Sequence, residues 1–243
     1  MGQIDYEMEM AFSVSRLMID INMKASSQGA SFVQQCILQK GLKRFGQEGR
    51  KAAVKEADQL HKRNCFTPIS VEELTPEEKK KAQEALMFLC QKRDGTHKSR
   101  LVYNGAGTRD WLRPEDAKSP TSALESLLLT GMIDAHEGRD VMTADIPNAF
   151  IQAHLPQEGG DERVIMKITG VLVDLLVELA PEVYGPFVTI ENGRKVLYVR
   201  VIKALYGMLK AALLWYQKFK TSLEKIGFKF NLPYDPGVLP TAL

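Results

Sequence analysis

The chain has 243 residues, 44% of them hydrophobic, with 32 Lys+Arg against 30 Asp+Glu for a formal charge of +2. That supplies the core of one large domain or two small ones and excludes a disordered tail, a collagenous repeat and a disulfide-knit mini-protein. Near-neutral charge also argues against a nucleic-acid partner, but the total hides a balance of +5 over residues 40–63, −10 over 110–191 and +8 over 194–229. Such asymmetry points to a polyanion or a metal partner, or else to solvated faces that cancel in three dimensions.

Taken in chain order, the pattern predicts mixed α and β structure. Residues 1–39 form an N-terminal extension, weakly ordered or helical, with a loop or tether at 25–30 (ASSQGA). A helix is predicted over 52–60, where Val54, Ala57 and Leu60 share a face, and FTPIS at 66–70 breaks it. Thr75, Pro76 and Glu78 make a helix start: a capping hydroxyl, proline in the first turn and a carboxylate reaching back. Residues 85–91 read as a strand, Asp94-Gly95 as a hairpin turn and 99–104 as the returning strand.

Ser119-Pro120 opens a helix with Leu124, Leu127, Leu128 and Ile133 on or near one stripe and Gly138 beyond its end. Residues 141–145 follow as a short strand whose alternation puts Val141, Thr143 and Asp145 on one face. A strand at 163–168, a short helix at 171–179 and a hairpin through Asn192-Gly193, joining 187–190 to 196–201, come next. An amphipathic helix over 211–226 stops at Gly227, and 239–243 form a divergent tail.

The first ten residues are acidic where a signal peptide would be basic and then apolar, and Tyr6 stands where a myristoylation motif wants Ser or Thr. The chain therefore reads as soluble and intracellular, in the cytoplasm or the nucleus. Cys36, Cys65 and Cys90 are odd in number and far apart, which favours free thiols over a zinc site or a disulfide framework; His61, four residues from Cys65, lacks a second ligand pair.

Three places carry candidate chemistry. Asp145 is a carboxylate at a strand end before a tight turn, where it either ligates a divalent cation or faces solvent or an ion-pair partner. The hairpin from Lys92 to Arg100 concentrates cations that suit a triphosphate or a phosphate backbone, or an ordinary solvated tip. Lys203, Tyr206, Gly207 and Lys210 lead into a helix bearing Trp215, Tyr216 and Phe219. Basic residues interleaved with aromatics suit base stacking with phosphate neutralisation. At helical spacing Leu214, Trp215 and Phe219 are expected to pack, with Lys210, Lys218 and Lys220 exposed.

These motifs carry a resemblance. VMTADIPNAFIQAHLP at 141–156 resembles the first catalytic motif of copia-type retrotransposon reverse transcriptases, and ALYGMLKAALLWYQKF at 204–219 resembles the following motif. KRDGTHKSRLVYNG at 92–105 is similar to the family's fingers hairpin, and YDPGV at 234–238 to its next landmark. The order is the family's, and the similarity spans roughly residues 40–238.

The resemblance implies an α+β fold, the fingers and partial palm of a right-hand polymerase, and RNA-directed DNA synthesis assisted by Mg²⁺. Its partners would be an RNA template, a DNA primer and deoxynucleotide triphosphates, within a larger retrotransposon polyprotein. Asp145 would be the catalytic, metal-binding aspartate, with the Ile146 carbonyl beside it. Phe150 would be the aromatic gate beneath the incoming sugar, Lys92 and Arg100 would contact the triphosphate, and Tyr206 and Gly207 would floor the nucleotide pocket. Lys203 and Lys210 would meet nucleic acid.

Two departures stand against the family pattern. Lys210-Ala211-Ala212 replaces a Gln-Ala-Pro run, and no Asp-Asp dipeptide occurs anywhere in the chain. The expectation is therefore a polymerase portion truncated before the paired-aspartate hairpin and inactive alone; a blander reading is a degenerate, unstable product whose palm strands are unpaired and whose apolar surface is exposed. A non-catalytic nucleic-acid-binding remnant of a transposable element is the alternative.

Overall fold

Backbone chemistry local to a few residues sets most of the element ends. A computed structural model describes residues 35–109, 112–113, 117–156, 163–230 and 235–237. The predicted tether at 25–30 and tail at 239–243, with Tyr234 and Val238, lie outside these residues. Strand β1 (Cys36–Ile37) leads into helix α1 (Leu38–Lys62), which breaks at Gly46, where φ is 52°. The helix predicted over 52–60 is thus the second half of a longer element. Phe66–Pro68 is not merely a helix breaker but strand β2.

Helix α2 (Pro76–Lys81) begins with the predicted reciprocal cap: the Thr75 hydroxyl accepts from the Glu78 N–H, and the Glu78 carboxylate accepts from the Thr75 N–H at 2.9 Å. Strands β3 (Gln83–Gln91) and β4 (His97–Tyr103) form the hairpin around Asp94-Gly95, with Phe88 opposite Arg100. Asp94 holds the turn by accepting from the Thr96 N–H and hydroxyl.

After helix α3 (Leu124–Glu137) come β5 (Ile165–Thr169), α4 (Val171–Leu179), the short α5 (Pro181–Tyr184), β6 (Thr189–Glu191), β7 (Arg194–Val201) and α6 (Ala211–Lys225). The strands make one mixed sheet. β3 takes β1 and β4 antiparallel and, at its start, β5 in parallel; β5 continues to β7, which also pairs β2 and β6. The architecture is α+β.

Both faces of β7 are covered, so Val196 through Val199 are all buried. Leu197 and Val199 join the main core with Leu89, Leu101, Met166 and Ile168 under Ala53, Ala57 and Leu60 of α1 and Leu172, Val173 and Leu176 of α4. Val196 and Tyr198 pack on the other face against Ile69 and Ile165. Each large aliphatic side chain so buried contributes about 1.5–3 kcal/mol.

Two expectations fail around α3. The helix starts at Leu124, later than Ser119-Pro120; Leu124, Leu127, Leu128 and Ile133 are all exposed, and no residue of α3 is buried. Residues 141–145 are not a strand, and Asp145 lies in exposed irregular chain. Alternating residues become a strand only where a neighbour takes their backbone hydrogen bonds, and none of the described strands does so.

The first turn of α3 is capped from a distance. The Asp235 carboxylate, buried, accepts from the Ala123 N–H at 2.9 Å and from the Gly237 N–H at 2.9 Å, while the Ser122 hydroxyl donates to the Gly237 carbonyl. The Tyr216 hydroxyl of α6 donates to the Pro236 carbonyl, so the 235–237 turn ties α3 and α6 together.

Candidate functional site

The site is built by stitching the chain after β7 to two distant segments. Ala204 N–H donates to the Ala153 carbonyl at 2.9 Å, and Leu155 N–H to the Ile202 carbonyl at 2.9 Å. Phe150, in a short 3₁₀ turn (Phe150–Gln152), is thereby held beside the 204–207 turn. From the other side, Tyr103 N–H at the end of β4 donates to the Tyr206 carbonyl at 2.8 Å.

Gly207 makes that junction possible. Its φ is +86°, and a Cβ there would fall 2.2 Å from the Tyr103 carbonyl oxygen; a Cβ on Gly105 would fall 2.2 Å from the Gly207 carbonyl oxygen. Only glycines allow these backbones to touch.

Strand alternation then aims Arg100. Ser99, Leu101 and Tyr103 are buried, so Lys98 and Arg100 project from the opposite, open face of β4. The Arg100 guanidinium carbon sits 4.2 Å from the centroid of the Tyr206 ring, and the Tyr206 and Phe150 rings lie 5.0 Å apart at 55°. Residues 100, 150 and 206, far apart in the chain, form one stack. A guanidinium lying on an aromatic face is oriented by cation–π attraction while its N–H edge stays available to an anion. The half-buried rings beneath, inclined to each other, offer an apolar surface.

The other predicted residues are placed differently. Lys92 is exposed at the hairpin turn, its backbone N–H bonded to the Thr96 carbonyl at 2.8 Å. Ile146 and Asp145 are exposed in the segment leading to Phe150. Lys203 donates from Nζ to the Arg63 carbonyl at 2.7 Å, a tie between the chain just after β7 and the end of α1. Lys210 is exposed just before α6. Trp215 and Phe219 are half-buried and stacked on each other, and Lys220, expected in solvent, is largely covered and lies over the Phe230 ring.

The residues present do not complete a magnesium site. Asp145 is one carboxylate, and the described residues contain no group of three or more His, Cys, Asp or Glu side chains that could hold a metal ion. His61 and Cys65 do not converge on one either. The His61 Nδ1 is 2.9 Å from the Tyr184 hydroxyl, and burial pushes the Cys65 thiol up to about 11.

Two features escaped sequence reasoning. A cleft of about 570 Å³ opens between α2, the end of β4 and the 208–210 segment, lined by Glu78, Lys81, Tyr103, Arg163, Met208 and Lys210 among others; it does not include the Arg100 stack. Glu191 is a charge hub. It takes Lys167 and Lys79 at 2.7 Å each and the Tyr198 hydroxyl at 3.2 Å, and hydrogen bonds from Lys167 and then Lys79 hold its carboxyl down to about 2. Its position at the end of hairpin strand β6 carries no signal that two lysines from α2 and β5 converge there.

No helix among the described residues is long and apolar enough to cross a membrane. No family model, no curated protein and no solved structure matches the chain.

Proposed function

We propose that this chain is the fingers and partial palm portion of a copia-type reverse transcriptase, with the Arg100–Tyr206–Phe150 stack as its nucleotide pocket. The observation that carries the reading is convergence. Three residues from three motifs, each assigned to one pocket by the resemblance, lie within ring-contact distance. Phe150 and Tyr206 provide the surface under a base or sugar, and the free edge of Arg100 takes phosphate oxygens.

Magnesium would supply electrostatic stabilisation of the transferring phosphoryl group, and Asp145 is the residue of this chain that would hold it. With one carboxylate of the expected three, and no Asp-Asp dipeptide in the 243 residues, the chain alone is proposed to bind without synthesising. A recessed RNA–DNA template–primer should therefore bind with an affinity that falls steeply with salt, and primer extension with Mg²⁺ should give no product. Template-dependent nucleotide addition would overturn the inactive part of the reading; salt-independent or absent binding would overturn the nucleic-acid part.

The alternative, a binding remnant with no remaining nucleotide pocket, is separated by the stack itself. A remnant would bind duplex equally well with Arg100 replaced by alanine and would show no saturable nucleotide binding.

A further inference from the structure

The cleft between α2, the end of β4 and residues 208–210 holds an unanswered polar group. Tyr103 lines it and is only 4% exposed, yet its hydroxyl makes no hydrogen bond within the described residues. Among those residues, every polar side-chain atom wholly shut from solvent has a partner, so this hydroxyl reaches the open cleft rather than the packed core. Burial pushes it up to about 12, so at neutral pH it stays protonated, a donor at the buried end of the cleft. A nearly buried donor without an acceptor is uncommon, because it has given up water and gained nothing in exchange. Its backbone is fixed by the bond from the Tyr103 N–H to the Tyr206 carbonyl, so the hydroxyl is presented from a rigid strand end.

The rest of the lining grades from apolar to charged. Leu155 and Ile165 are buried, Met208 and Leu209 are half-buried, and Glu77 and Lys210 are exposed at the mouth. One side is closed by a forked pair, in which Arg163 donates from Nε to one Glu78 oxygen at 2.7 Å and from Nη2 to the other at 2.9 Å. That pair cancels within itself and leaves two lysines, Lys81 and Lys210, against Glu77. The Lys210 ammonium makes no ion pair or hydrogen bond within the described residues. A volume of about 570 Å³ accommodates a molecule of two rings with a polar group at each end.

We propose that this cleft binds a small aromatic or alicyclic anion, its inner oxygen accepting from the Tyr103 hydroxyl and its outer carboxylate or phosphate held by Lys210. Arg100, Phe150 and Tyr206 do not line the cleft, and the assignment does not depend on the nucleotide pocket.

Calorimetric titration of the full chain with 6-hydroxy-2-naphthoate tests it, and one saturable site is expected. Tyr103→Phe should weaken binding about tenfold, as should replacing the probe by 2-naphthoate, which lacks the inner oxygen, and the two losses should not add. Lys210→Glu should weaken the naphthoate about tenfold and leave the uncharged 6-hydroxy-2-naphthamide unchanged. Leu209→Trp, which fills the cleft, should abolish binding. Because the Tyr103 hydroxyl bonds nothing in the chain, Tyr103→Phe should melt no lower than the parent protein, which separates lost binding from lost folding. The proposal is overturned by any of four results: no saturable binding up to the solubility limit of the naphthoate; binding that Tyr103→Phe or Leu209→Trp leaves unchanged; a Lys210→Glu loss shared equally by naphthoate and naphthamide; or full displacement of the naphthoate by an RNA–DNA template–primer, which would give the cleft to nucleic acid.

Discussion

The guanidinium carbon of Arg100 lies 4.2 Å above the ring of Tyr206, although the two residues belong to a hairpin strand and to a turn more than a hundred positions later. Two glycines, at 105 and 207, allow that approach, and Phe150 completes the stack from below. If Phe150 shapes the sugar side of the pocket, Phe150→Ala should reduce discrimination between deoxyribo- and ribonucleoside triphosphates about tenfold, since one lost steric contact is worth about 1–3 kcal/mol. Competition binding of the two nucleotides measures it; an unchanged ratio removes Phe150 from the pocket.

Gly207→Ala should destabilise the fold by about 3 kcal/mol or more, because the new Cβ meets a backbone oxygen as well as an unfavourable φ. Gly193→Ala, at φ +73° with nothing nearby, should cost only about 1 kcal/mol. Urea unfolding of the pair isolates the backbone contact from the conformational penalty.

The Glu191 hub predicts acid sensitivity. Its carboxyl is held down to about 2 by Lys167 and Lys79, below the ordinary value of 4.5. A depressed folded value means that this stabilisation is present above about pH 4.5 and is lost as pH falls toward 2. Glu191→Gln should lower stability at pH 7 by about 1–2 kcal/mol, tempered by the exposure of the lysines, and should flatten the decline between those pH values. Thermal melts across that range check the slope.

Cys65 is buried with its thiol raised to about 11, whereas Cys36 and Cys90 are partly exposed. Thiol titration of the native chain at neutral pH should count two reactive cysteines, the third appearing only on denaturation. Three fast thiols would place Cys65 outside the core.

Elements defined by local chemistry were legible in the sequence. Thr75 and Glu78 cap each other wherever the chain goes, Asn192-Gly193 supplies two positive φ values, and Gly138 and Gly227 end helices in the same way. Elements that need a distant partner were not. The alternation at 141–145 looks like a strand, yet no described strand takes its hydrogen bonds, and the α3 leucines are spaced like a packed stripe yet stand exposed. The site divides likewise. Arg100, Phe150, Tyr206 and Gly207 were found through motif resemblance, but their contact depends on Gly105, which closes the quoted hairpin motif without a role of its own there. Asp235 appeared only as part of a landmark, and its capping of α3 reaches across 112 positions.

Binding of a deoxynucleoside triphosphate in the presence of Mg²⁺ and template–primer, followed calorimetrically, tests the central claim most directly. Saturable binding that Arg100→Ala weakens about tenfold, and that Tyr206→Ala weakens similarly, is the predicted result; loss of a cation–π contact and of charge-assisted bonds accounts for that size. Absence of saturable binding, or binding that neither substitution changes, would contradict the assignment of the stack as a nucleotide pocket.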